Sequence, residues 1–234
     1  MSLDSERPRS EDGFSLISIM AVMTIFAIAL LAVAPAVQLE VQREKELEAI
    51  RRGEEVAEAI RQYVEFYRGA KLPDSIDDLL DGLPYGTKKR QILRAASAVD
   101  PLSEDGRWRL IKVNPDALGN FARRVQKYHN GLLPTSPSQA LDRYAIVIVN
   151  TVNMNTDDDL EEADDGDFET VTDNTPFIGV ASQSRSRSVL AYYGIENHSK
   201  WVFTPLFRGS GTNRIAPQRP RRGGNNSNSR PFPQ

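Results

Sequence analysis

The chain has 234 residues, 40% of them hydrophobic, and a formal net charge of -3. That length accommodates one folded domain with appendages, and so even a charge balance argues against a nucleic-acid partner. The absence of cysteine excludes disulfides, thiolate metal sites, iron–sulfur clusters and a cysteine nucleophile.

The first element dominates the chain. From Phe14 to Leu39 no residue carries a charge, and Ser15, Ser18, Thr24 and Gln38 are the only clearly polar ones. As a helix rising about 1.5 Å per residue this run reaches about 39 Å, more than the ~30 Å hydrocarbon core of a bilayer. A cleavable secretion signal has an apolar stretch of only about 7 to 15 residues, so the run is too long for one. It also continues into a second pattern. Val41, Leu47, Ile50, Val56, Ile60, Val64 and Tyr67 recur mostly three or four apart among Glu, Arg, Lys and Gln. That spacing predicts an apolar stripe along one helix, from near Phe14 to Arg68, with Gly69 as its stop. Pro35 and Gly53 are the interior breakers, and a proline in a membrane helix kinks it rather than ending it. Ala21, Ala27, Ala29, Ala32, Ala34 and Ala36 are small enough to let other helices approach closely. A membrane anchor explains the apolar half. The amphipathic half needs a partner, either the chain's own globular part or neighbouring copies.

The remainder reads as α+β. Asp74 or Ser75 caps a short helix through Leu80, and "TKKRQILRAASAV" is a second helical candidate. Asp105 and Gly106 make a turn before a strand-like alternation at Trp108, Leu110, Ile111 and Val113. "RYAIVIVN", β-branched and apolar from Tyr144 to Val149, reads as the clearest strand. "FIGVAS", "SVLAYYG" and "KWVFTP" supply three more, suited to an antiparallel sheet packed on the helical stripe.

Two segments stand apart by composition. The run "DDDLEEADDGDFE", residues 157–169, holds Asp157, Asp159, Asp164, Asp165 and Asp167 among its acids, with Gly166 for a turn. Oxygen-rich loops of this kind bind Ca²⁺. The spacing is not that of an EF-hand, and a solvated acidic loop is the preferred reading over a calcium site. The tail at 214–234 is rich in Pro, Gly, Asn, Ser and Arg and reads as disordered. Catalytic constellations are poor. His129 and His198 are the only histidines, each read as lying on a turn or helix end, and no metalloprotease, nucleophile-elbow or phosphate-loop motif is present.

Several of these stretches resemble a known family. Gly13 followed by Phe14, Ser15 and Leu16 resembles the prepilin peptidase site of type IV pilins and type II secretion pseudopilins. Pro35 stands where that family commonly carries its helix-kinking proline. "KLPDSIDDLL", "DPLSEDGRWRLI" and "PFIGVASQSRSRSVLAYYGIENHSKWVFTP" are similar to segments of PulG-like pseudopilins, whereas the residues near 114–143 and 153–174 match nothing. The resemblance implies cleavage after Gly13, methylation of the new N-terminal Phe14, and a retained helix that assembles with other subunits. It departs at Ser18, the fifth residue of the implied mature chain, where the family usually has a glutamate that pairs with a neighbour's N-terminal amine. In this respect the chain resembles minor pseudopilins at filament tips. The leader is also unusual, with Glu11 and Asp12 before Gly13 and only Arg7 and Arg9 as positive side chains.

The expected organisation is a leader at 1–13, a membrane helix segment at 14–39, its amphipathic continuation at 40–69, a periplasmic pilin-like α+β domain at 70–213, and the tail. The implied location is the bacterial inner membrane, crossed once. The implied partners are other pilin or pseudopilin subunits, prepilin peptidase, an inner-membrane assembly platform and the membrane itself. No cofactor is expected apart from the Ca²⁺ option, and no enzymatic role. A permanently anchored receptor or scaffold is the alternative to a filament subunit.

Overall fold

The computed structural model describes residues 12–154 and 175–209; within helices, the side chains at 12–15, 30–36, 115–117, 151 and 153–154 lie outside the description. The first helix, α1 (Asp12–Phe66), runs through 55 residues, across both Pro35 and Gly53. It ends where the stripe does. The Gly69 N–H donates to the Val64 carbonyl at 2.8 Å, and Gly69 takes a φ of 77° that a side chain would disfavour. Its carbonyl then accepts from Arg143 and from the Tyr144 hydroxyl, both at 2.8 Å, which ties the end of α1 to a later helix.

The buried face of α1 differs from the predicted stripe in one respect. Ala49, Val56, Ala57, Ile60, Tyr63 and Val64 are buried, but Val41 and Leu47 are exposed, and the face begins instead at the fully buried Glu46. The core of the body therefore packs on the helix from residue 46 onward, with Gln42 Nε2 reaching the Arg187 carbonyl at 3.3 Å one turn earlier.

After α1 come a short helix α2 (Ile76–Asp81), whose N-cap Ser75 accepts from the Asp78 N–H, and a hairpin of β1 (Leu83–Tyr85) and β2 (Lys88–Arg90). The helix expected over "TKKRQILRAASAV" is absent. Its first residues pair in β2 and only Ala95–Ala98 form a 3-10 turn. The tight turn at Gly86, with a φ of 62°, commits Lys88–Arg90 to the ladder before a helix can begin. Strand β3 (Arg109–Lys112) follows as expected.

The largest correction concerns "RYAIVIVN". It lies inside a helix, α4 (Gln139–Met154), packed on α3 (Pro115–Tyr128), an element the sequence reading left unassigned. The buried positions explain why. Leu141, Ala145, Ile148, Val149 and Val152 recur at helical spacing, while Ile146 and Val147 face outward. On α3 the same spacing appears at Leu118, Phe121, Ala122 and Val125. Local β-propensity yields to burial against α1 and α3.

The chain closes with β4 (Phe177–Ala181), β5 (Arg187–Tyr192), β6 (Ile195–Asn197), a 3-10 turn at His198–Lys200 and β7 (Val202–Phe203). A three-stranded antiparallel sheet of order β3-β4-β7 pairs Leu110 with Val180 and Val180 with Phe203. The β5–β6 hairpin forms a separate two-stranded ladder, so the expected single sheet is divided in two. Both pieces and α4 pack on α1, and the architecture is α+β with α1 as the axis of the core.

Candidate assembly site on the first helix

The two halves of α1 present opposite surfaces. Along the described part of the apolar run every residue from Leu16 to Ala29 is exposed, Leu16 at 64% and Phe26 at 60%. The exposure goes all round the helix, so no part of the body covers it. Thr24 satisfies its hydroxyl within the helix by donating to the Met20 carbonyl at 2.7 Å, which leaves that surface without an unmet hydrogen-bonding group at this position. Ser18 lies on the same exposed surface. Gly13, Phe14 and Pro35 lie on the helical backbone, but their side chains fall outside the described residues. Among the described residues no helix is long and apolar enough to cross a membrane; the described side chains of the run are those at 16–29 and 37–39, short of its full length.

The second half is fastened to the body by carboxylates. Glu46, fully buried, accepts from the Val189 N–H at 2.9 Å, the Leu190 N–H at 2.7 Å, Gln42 Nε2 at 2.9 Å and His198 Nε2 at 3.0 Å. Burial pushes its carboxyl upward, but the two backbone N–H groups, Gln42 and His198 outweigh that, and the net shift is downward. Two turns on, Glu54 accepts from the Tyr192 hydroxyl at 2.5 Å and pairs with Arg208. Burial beside the Glu54 carboxylate holds the Tyr192 hydroxyl well above its ordinary value. Glu55 takes the Ser97 hydroxyl. These side chains tie the helix to β5, to the closing residues and to the 3-10 turn before β3.

Sequence reasoning missed this set. A signal was available for Glu46, which stands three residues before Ala49 and seven before Gly53 on the buried face, where a lone carboxylate requires partners. His198 is buried beside it, its imidazole edge-on to Trp201 at 5.0 Å. It opens the 3-10 turn, and His129 follows the end of α3, so both occupy turn or helix-end positions. The acidic run with Asp157, Asp159, Asp164, Asp165 and Asp167 lies outside the described residues, as does the tail. Among the described residues no group of three or more His, Asp or Glu side chains is arranged to hold a metal.

An exposed apolar helix rooted in a small α+β body defines a class of protein, one whose first element is built to be covered by lipid or by other subunits. Residues 8–34 match the family described as the prokaryotic N-terminal methylation motif. That motif is the signature of the prepilin-type cleavage segment of type IV pilins and pseudopilins. The match stops short of the α+β body. No curated protein and no solved structure matches the chain.

Proposed function

We propose that the protein is a structural subunit, a pseudopilin, of a periplasmic pseudopilus in a type II secretion system or a related type IV pilus-like machine, with no catalytic role. The observation that carries this reading is the methylation motif at residues 8–34 running directly into a helix whose described side chains from Leu16 to Ala29 are all exposed. In this reading prepilin peptidase cuts after Gly13, and Phe14 becomes the methylated N-terminus. The helix waits in the inner membrane with the α+β body in the periplasm. An assembly platform then transfers it from lipid into contact with the helices of other subunits. Because the helix is apolar on every side, the exchange of lipid for protein exposes no apolar surface to water. Ser18, lacking a carboxylate, offers no charge to a neighbour's N-terminal amine, which favours a minor subunit.

Intact mass of the membrane-extracted protein tests the reading. A chain beginning at methylated Phe14 is the expected result. Retention of residues 1–13, which would leave a permanently anchored single-pass protein, or cleavage elsewhere would overturn it.

A further inference from the structure

The basic side chains of α1 and α3 differ in their partners. On α1, Arg51, Arg52 and Arg61 each pair with glutamates three or four residues away. On α3, Arg124 and Lys127 have no carboxylate partner among the described residues, and Arg123 makes only a 2.8 Å bond to the Asn120 side-chain oxygen. The Arg123 Nε is buried with no hydrogen-bond partner there. A buried guanidinium nitrogen in that state carries a desolvation cost that only an acceptor relieves.

These three side chains, with Tyr128 and Tyr193, line an open groove of about 410 Å³ between α3 and the β5–β6 turn. The turn is built to present Tyr193, which has a φ of 50° and is followed by Gly194 at 75°. Its ring stands edge-on to Phe121 at 5.9 Å and to Tyr128 at 5.5 Å. The floor is thus aromatic and the rim cationic, a surface suited to carboxylates on an extended peptide.

The chain carries such a peptide. Between Met154 and Thr175 stand Asp and Glu at 157–159, 161, 162, 164, 165, 167, 169 and 173, with no Lys or Arg among them. The segment re-enters the fold two residues before Phe177, which pairs with Lys112, three residues ahead of α3. Arg124 lies nine residues along that helix, about 13 Å at 1.5 Å per residue. Six extended residues span about 20 Å, so the acids from 161 to 169 have the reach. We propose that the groove of Arg123, Arg124 and Lys127 receives the acidic segment 157–169 of the same chain. This pairing is independent of how the first helix assembles.

Carbodiimide cross-linking of the detergent-solubilised full chain, mixed in equal parts unlabelled and ¹⁵N-labelled, tests it, since the reagent joins an amine to a carboxylate only at ion-pair distance. The expected product joins Lys127 to a peptide from 157–169 with both halves of one isotope. Its yield should exceed that at Lys71, an exposed lysine beside Pro73, whose carbonyl accepts the Phe177 N–H at 3.1 Å. It should also fall about threefold or more in 1 M salt or in Arg124→Glu, as screening or reversal of an exposed ion pair requires. A Lys127 yield no higher than that of Lys71 would reduce the effect to tethering and overturn the proposal. So would a product unmoved by salt, or a mixed-isotope fraction near one half, which would place the segment in the groove of a second copy.

Discussion

At the scale of single residues, two positions on α1 determine how the helix meets the body. Gly53 sits mid-helix, where alanine is intrinsically better by about 0.5–1 kcal/mol. A Cβ there would lie 2.3 Å from the Phe203 ring. That ring is fully buried, 5.8 Å from Trp108 and 5.1 Å from Tyr192 between ring centroids, and has nowhere to go. Overpacking costs about 1–3 kcal/mol and outweighs the propensity gain, so Gly53→Ala should destabilise the body by about 1–2 kcal/mol in denaturant unfolding. Unchanged or increased stability would mean that Phe203 does not press on the helix. Glu46 makes a different prediction. Its carboxyl is held below its ordinary value of 4.5 in the folded chain, so the folded state binds the proton less readily than the unfolded one. The stabilisation is complete above pH 4.5 and is lost as pH falls below it. The stability difference between wild type and Glu46→Gln should therefore shrink between pH 5 and pH 3, measured by urea unfolding at each pH. A gap that stays constant or widens would refute the assignment.

At the scale of elements, α4 separates two ways of reading one stretch. As a strand, "RYAIVIVN" would place Ile146 and Ile148 on the same face. As a helix it separates them, with Ile148 fully buried and Ile146 57% exposed. Ile148→Ala should cost about 2–5 kcal/mol by the loss of a buried side chain, whereas Ile146→Ala should stay within about 0.5 kcal/mol. Equal losses at both positions, read from thermal unfolding, would restore the strand. The elements that were legible had their own punctuation: Ser75 before α2, Asp105 and Gly106 before β3, Gly69 after α1. Those that were not, α3 and α4, carry their pattern in the helical recurrence of Leu118, Phe121, Ala122 and Val125 and of Leu141, Ala145, Ile148 and Val149. In α4 a run of β-branched residues masks it.

At the scale of the whole molecule, the described fold divides at Glu46. The core residues lie at or beyond it, while the described apolar side chains from Leu16 to Ile28 and at Val37, Leu39 and Val41 are exposed. A fragment of residues 37–234 keeps Gln42, Glu46 and every described core contact, so it should unfold within about 2 °C of the full chain in detergent and stay monomeric in water. A drop several times that, which corresponds to more than ~1 kcal/mol in a domain of this size, would show that the first half of the helix supports the body.

The N-terminal half of the protein's character was determined by the sequence alone. An uncharged run of that length, with Gly13 before Phe14 and Pro35 within it, defines an apolar helix whatever the rest of the chain does, because its properties are local. The body was decided by tertiary structure. Why Gly53 has no side chain and what makes a buried glutamate tolerable at position 46 depend on Phe203, Val189, Leu190 and His198, residues more than a hundred positions away, and whether Ile148 sits in a helix or a strand depends on its burial against α1 and α3. Burial and hydrogen-bond satisfaction are properties of assembled surfaces, and no local stretch of sequence contains both sides of them.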